Sequence, residues 1–207
     1  MTAPLRLAEI ISARLCHDLS GSIGTLVTSL EMAADGSADA GEALEIAQQA
    51  AHALQGRLRF IRAAWAVDGA ELDADAILGY CIALPQARKL SFRLDQLSGT
   101  LCPPMSRGLL NLILLGAEAL PRGGTLTLAG DAVNGVLMTI DGLHAAWPAE
   151  FAALMNDESA AWAALRDSRT LQPPLAALIL HQSGLKLRFL MSGANPLVPP
   201  PVLLTRR

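Results

Sequence analysis

The chain has 207 residues, of which 52% are hydrophobic and only 4% aromatic, with a formal net charge of -3. A slightly acidic chain has no overall positive field, so neither nucleic acid nor an anionic membrane surface is an expected partner. No apolar run reaches the roughly 18 residues of a membrane span, and no secretory signal pattern is present, so we expect a cytoplasmic protein. Three widely spaced cysteines predict neither a disulfide framework nor a zinc site.

The first predicted element is a long amphipathic helix that contains the segment ARLCHDLSGSIGTLVT, residues 13 to 28. At about 100° per residue, its apolar positions form one stripe, and His17 points to the opposite face. The stripe consists of Ile11, Leu15, Leu19, Ile23, Leu26 and Leu30. Small residues share the face of His17, namely Ser20, Gly21 and Gly24. Because each interior glycine costs a helix about 1 kcal/mol relative to alanine, this face indicates close approach by another molecule.

Residues 33 to 41 are rich in helix breakers, which predicts a turn near residue 36 and a second helix to about Ala66. The apolar positions of this helix alternate at spacings of three and four, as in helix bundles: Leu44, Ala47, Ala51, Leu54, Leu58, Ile61 and Trp65. One hairpin cannot cover both apolar stripes. We therefore expect a homodimer that forms a four-helix bundle, with coverage by the rest of the same chain as the alternative.

In an antiparallel hairpin, His17 lies level with residues near 55, so Gly56 and an exposed Phe60 are expected close to it. Both are candidate partner-binding residues, although Phe60 could instead pack on the second domain. Three arginines of the second helix, Arg57, Arg59 and Arg62, are predicted to form a solvated face, with contact to an acidic pocket of a partner protein as the alternative.

A boundary is predicted after residue 68, which gives a helical hairpin at 1–68 and a second domain at 69–207. The elements predicted in the second domain are a helix from the ELDAD segment to about Arg88, a strand over 89–95, a helix from Ser106 to Leu120, a β-hairpin around Asn134 and Gly135, helices over Pro148–Arg166 and Pro173–Ser183, and strands over 185–191 and at the final VLLT. Helices interleaved with largely antiparallel strands predict an α+β fold with a layer of helices on one sheet.

A long hairpin bearing His-Asp, followed by this order of elements, resembles the core of sensor histidine kinases. The segment GLLNLILLGAEALPRGG resembles the N-box of their ATPase domain, with Asn111 at its first asparagine. The resemblance implies a degenerate GHKL (Bergerat-like) α/β sandwich, because the residues that should hold magnesium and ATP are replaced. The replacements are Leu115 at the magnesium-binding asparagine, Leu143 and Ala145 after Asp141 and Gly142 in the first glycine-rich box, and Gln172-Pro173-Pro174 at the second. Proline removes both the backbone donor and the flexibility that phosphate binding requires.

Within that superfamily, the ARLCHDL-x-G-x-x-G segment and the degenerate second domain resemble the ChpT-type histidine phosphotransferases of alphaproteobacterial phosphorelays. One departure is Ser22, where the family usually has proline. The resemblance implies that His17 accepts a phosphoryl group from the phospho-aspartate of a receiver domain in a hybrid histidine kinase. His17 then passes this group to the aspartate of a response regulator.

The roles of the surrounding residues follow from the same resemblance. Asp18 orients the imidazole or accepts its proton, and Arg14 balances phosphate charge. Ser20, Gly21 and Gly24 admit the receiver. No stably bound cofactor is expected, because Mg²⁺ comes with the receiver. Two alternatives stay open at this point: an ATP-dependent histidine kinase core, and a non-catalytic dimeric adaptor that binds receivers.

Overall fold

A computed structural model describes residues 3–35, 39–191 and 198–206. Two long helices, α1 (Ala3–Ala34) and α2 (Ala40–Trp65), pack against each other as the predicted hairpin. The turn predicted near residue 36 lies outside the described residues. None of the helices in the described ranges is long and apolar enough to cross a membrane.

In the described part of the rest of the chain, five strands form one sheet with helices packed on it. Its helices are α3 (Ala74–Cys81), α4 (Pro103–Glu118), α5 (Phe151–Asn156), α6 (Glu158–Ala163) and α7 (Gln172–Gln182), and its strands are β1 (Leu90–Leu97), β2 (Gly124–Asp131), β3 (Gly135–Asp141), β4 (Leu185–Phe189) and β5 (Val202–Arg206). The strand order is β1-β2-β3-β5-β4, with β1 parallel to β2 and every other neighbouring pair antiparallel. Burial alternates along β3 and β5, so one face of the sheet carries the core. The predicted α+β fold is confirmed.

Three helix boundaries differ from the predicted ones. The helix predicted to reach Arg88 ends at Cys81, and turns that include Pro85 follow it. The helix predicted over Pro148–Arg166 is two short helices, because Asp157 adopts an extended conformation and its side chain caps α6. Helix α4 begins at Pro103 instead of Ser106. Proline is tolerated in the first turn of a helix, because the backbone N–H that it lacks would have no partner within the helix.

The C-terminal part of α2 packs against the second domain. Phe60 is only 1% exposed, and its ring meets the ring of Tyr80 edge to face with centroids 5.9 Å apart. A Cβ at Gly56 would lie 2.9 Å from the Cβ of Ala83, so Gly56 also packs within the chain. The prediction of an exposed Phe60 is therefore wrong, because the alternative, packing on the second domain, is what occurs. Phe60 is thus not presented to a partner in this conformation, whereas Gly56 is half-buried and its role in partner binding stays a prediction.

The rest of the hairpin leaves apolar surface uncovered within the single chain. The side chains of α1 and α2 concerned are between 41 and 47% exposed: Ile23, Val27, Leu30, Leu44, Ile46 and Leu58. Near the start of α1, by contrast, Ile10 is buried in the same core as Phe60 and the second domain. Intrachain packing thus covers only part of the predicted apolar stripes.

Candidate functional site

His17 lies in the middle of α1 and is almost fully exposed, with 84% of its side chain accessible. Its Nδ1 lies 3.2 Å from Oδ1 of the neighbouring Asp18. An ionised carboxylate can only accept hydrogen bonds, so the contact places the hydrogen of a neutral imidazole on Nδ1. Nε2 then keeps its lone pair at the far side of the ring, which is the arrangement a nitrogen nucleophile requires.

Asp18 is held much more firmly than the histidine that it contacts. Only 13% of its side chain is exposed, and its Oδ2 accepts from Arg14 Nε at 2.8 Å and pairs with Arg57 Nη2 at 3.0 Å. Burial raises the pKa of Asp18, but the hydrogen bonds from Arg14 and His17 and the charges of Arg14 and Arg57 outweigh burial and lower the pKa below its usual value. The carboxylate therefore stays ionised beside the imidazole at neutral pH.

Arg57 reaches Asp18 from the second helix of the hairpin. Its Nη1 donates to the backbone oxygen of Asp18 at 2.9 Å, in addition to the carboxylate contact. The predicted solvated face is thus wrong at this position. The sequence does offer a signal for this contact, because an antiparallel register that sets His17 level with residue 55 also brings Arg57 close to Asp18.

Arg14 joins the helix of His17 to the second domain. Besides holding Asp18, it donates through Nη2 to Glu118 Oε1 at 2.8 Å and through Nη1 to the Ser168 oxygen at 3.2 Å. Burial lowers the pKa of Arg14, but the hydrogen bonds to Asp18 and Glu118 more than compensate and raise it. Arg14 is therefore engaged within its own chain. Sequence reasoning missed Glu118, since no local pattern signals which residue of α4 will meet α1.

The small residues of α1 predicted to admit a partner are exposed, and one of them, Gly21, lines a depression at His17. Ser20, Gly21 and Gly24 are exposed, and a Cβ at either glycine would meet nothing within 4 Å. Packing within the chain therefore gives no reason for glycine at these two positions. A shallow depression opens beside the histidine, lined by His17, Asp18, Gly21, Ser22, Thr25 and Arg57.

Of the segments that resemble nucleotide boxes, residues 111–115 and 172–174 are largely buried and lie where the two parts of the chain meet, whereas Leu143 of the first glycine-rich box is 64% exposed. Leu115 is fully buried in the core, and Gln172 opens α7 followed by two buried prolines. Asn111 Nδ2 donates to the backbone oxygen of Ala64, at the end of α2, at 2.7 Å, and Gln172 Nε2 donates to the backbone oxygen of Asn111 at 3.1 Å. Within the described part of the chain, no three or more His, Cys, Asp or Glu side chains cluster as a metal site would require.

Comparison with known proteins finds similarity to a family model, to a curated protein and to solved structures. The family model for the histidine phosphotransferase C-terminal domain matches residues 83–195. A curated relative, the protein phosphotransferase ChpT of Brucella abortus (strain 2308), is 26% identical over 189 residues, which covers 88% of this chain and 89% of the relative. A solved structure, described as a bacterial phosphotransferase at 1.7 Å, has the same fold with a TM-score of 0.71 and 21% identity. That match covers 99% of this chain and 97% of the other.

Proposed function

The chain belongs to the histidine phosphotransferase family and is a phosphotransferase of the phosphorelay type, and we propose that His17 carries the phosphoryl group. The observation that carries this proposal is the contact between His17 Nδ1 and Asp18 Oδ1, with Nε2 open to solvent. Exposure alone would not distinguish a phosphate-accepting histidine from an ordinary surface histidine. A histidine whose acidic partner is itself held by two arginines has a defined orientation.

In the proposed reaction, Nε2 of His17 attacks the phosphorus of a phospho-aspartate on a receiver domain. The new P–N bond forms as the bond from phosphorus to the aspartyl oxygen breaks, and the receiver's carboxylate leaves with that electron pair. The imidazole ring becomes cationic in this step, and the Asp18 carboxylate stabilises the positive charge through Nδ1–H. The same steps in reverse pass the phosphoryl group to the aspartate of a response regulator.

The surface around His17 suits the approach of a receiver. Because Gly21 and Gly24 have no packing role within the chain, their lack of side chains serves to let another backbone come close. The donor would be the receiver domain of a hybrid histidine kinase, and the acceptor a response regulator. The acidic pocket of the receiver would supply Mg²⁺, so the chain needs no stably bound cofactor of its own.

We further propose that residues 1–68 form the dimerisation and phosphotransfer unit, and that two hairpins make a four-helix bundle. The uncovered apolar side chains of α1 and α2, such as Leu30 and Leu44, support this assembly. Residues 69–207 would be a degenerate GHKL-type domain without ATP binding, because Leu115 and the prolines after Gln172 occupy the positions of nucleotide ligands. An ATP-dependent kinase or a non-catalytic adaptor would be the function if this proposal failed.

The test is single-turnover phosphoryl transfer from a phosphorylated receiver to three proteins: the wild type, His17→Gln and His52→Gln. His52 is an exposed histidine on α2 and serves as the matched control. We expect acid-labile phosphate on the wild type and on His52→Gln, and none on His17→Gln. Phosphate on His17→Gln would refute the assignment of His17. Labelling by ATP without any receiver would favour the kinase alternative, and receiver binding without any transfer would favour the adaptor.

A further inference from the structure

Arg57 on α2 contacts Asp18 on α1 through two nitrogens of its guanidinium group. Nη1 donates to the backbone oxygen of Asp18, and Nη2 pairs with its Oδ2. The Arg57 side chain is 20% exposed, and it is the one cationic residue among the six that line the depression beside His17. Arg57 therefore belongs to the site by contact and by position.

We propose that Arg57 is a positioning residue for phosphoryl transfer, acting on His17 through Asp18; this inference rests on the proposed role of His17. The last torsion of an aspartate side chain is broad, so a carboxylate turns unless its oxygens are held. Arg57 holds the backbone oxygen and Oδ2 of the same residue. The backbone contact anchors the guanidinium beside Asp18, and Nη2 then holds Oδ2 from the side of α2, which leaves Oδ1 for the 3.2 Å contact with Nδ1 of His17.

Arg14 cannot provide the same constraint alone. It contacts Asp18 only through Nε and Oδ2, from one turn earlier on the same helix. Its two remaining nitrogens are directed to Glu118 and Ser168 of the second domain. Both arginines reach the same carboxylate oxygen, but Arg57 approaches Oδ2 from α2 and is anchored on the Asp18 backbone oxygen, so Oδ2 is held from two helices rather than from one.

The chemical consequence concerns the tautomer of His17. With Oδ1 held at Nδ1, the neutral ring carries its hydrogen on Nδ1 and presents the lone pair of Nε2 to the incoming phosphoryl group. If the carboxylate turns away, the other tautomer gains population. In that tautomer Nε2 carries the hydrogen and has no lone pair for the attack, so the transfer rate falls in proportion.

The experiment compares wild type, Arg57→Gln and Arg57→Lys, with Arg59→Gln as a control that removes the same charge from an exposed position of α2. Nitrogen-15 NMR of the unphosphorylated proteins measures the tautomer of His17, assigned with His17→Gln. Single-turnover transfer from a phosphorylated receiver measures the rate. We expect Arg57→Gln to raise the Nε2–H tautomer and to slow transfer by about 10- to 100-fold, as misplaced catalytic groups do. Arg57→Lys should lie between, because an ammonium group is a single point charge that lacks the planar fork. Arg59→Gln should match the wild type.

Wild-type tautomer and wild-type rate in Arg57→Gln and Arg57→Lys would overturn the inference. If Arg57→Gln does not fold, the folded Arg57→Lys protein decides by the same two readouts. The tautomer measurement needs no phosphate. A wild-type protein that takes no phosphoryl group would therefore refute the function of His17, while the NMR result would still decide whether Arg57 orients its ring.

Discussion

Arg14 Nη2 lies 2.8 Å from Glu118 Oε1, although the two residues are 104 positions apart in the chain. This ion pair connects the helix that carries His17 to α4 of the second domain. Since the same arginine donates from Nε to Asp18, the carboxylate beside His17 is linked to both parts of the protein. The second domain thus contacts the proposed phosphotransfer site through a side chain that is not itself next to the histidine.

Replacing Glu118 should have a small effect, because the pair it forms with Arg14 is partly exposed. Such pairs contribute about 0.2–1 kcal/mol, so Glu118→Gln should slow transfer by at most about fivefold and change the free energy of unfolding by no more than about 1 kcal/mol. Single-turnover rates and urea denaturation measure both quantities, with Glu45→Gln on the exposed side of α2 as the control. A loss beyond tenfold would show that Glu118 takes part in the chemistry.

Asn111 should matter for stability rather than for transfer. Its buried Nδ2 donates both to Ala64 at the end of α2 and to Arg107 within α4. Asn111→Ala leaves the Ala64 oxygen without this partner, which costs about 1–3 kcal/mol and lowers Tm by about 2–4 °C for each kcal/mol. Calorimetry measures the shift against Gln182→Ala, an exposed control. An unchanged Tm would mean that the joint between the hairpin and the second domain does not depend on this bond.

The ionised Asp18 should stabilise the fold in a defined range of pH. Its pKa in the folded protein is lowered, so its contribution is complete above the ordinary aspartate pKa of about 3.9 and disappears as the pH falls through the lower folded value. Because a protonated His17 would also interact with this carboxylate, the effect is measured with His17→Gln as the background. The difference in the free energy of unfolding that Asp18→Asn causes there should be constant from pH 5 upward and shrink only in more acidic solution. Urea denaturation at a series of pH values measures it. A difference that grows on acidification would have the wrong sign for this ion-pair cluster.

The uncovered apolar face of the hairpin should mediate dimerisation. Leu30 and Leu44 are large, apolar and exposed in the single chain. A buried glutamate without a partner is strongly unfavourable, so Leu30→Glu and Leu44→Glu should each yield monomers, while Thr28→Glu, an exposed polar position, should not. Sedimentation equilibrium should give twice the 21.7 kDa chain mass for the wild type. A monomeric wild type at tens of micromolar would contradict the four-helix bundle.

The sequence predicts the elements of this fold better than it predicts their contacts. The 3.6-residue period finds α1 and α2, and alternation finds the hairpin of β2 and β3, because both signals are local. The same period also predicts correctly that the His17 side chain is exposed. It cannot show that Phe60 lies buried against Tyr80, because that contact depends on how the hairpin docks onto the second domain.

The candidate site shows the same division. His17 and Asp18 are adjacent in the sequence, and their pairing follows from the segment that contains them. For the two arginines that hold Asp18 the sequence predicts other partners, namely the phosphate for Arg14 and solvent for Arg57. Their contacts depend on the register between α1 and α2 and on the docking of α4, which are tertiary features that a single sequence does not specify.

The most direct test of the phosphotransfer site is to identify the phosphorylated atom. The protein, labelled with nitrogen-15 at histidine, is phosphorylated by a phosphorylated receiver, and phosphorus–nitrogen coupling is then measured by NMR. Because Asp18 engages Nδ1, we predict that the phosphorus is bonded to Nε2 of His17. Phosphorus on Nδ1 of His17, or on any other side chain, would contradict the proposed site.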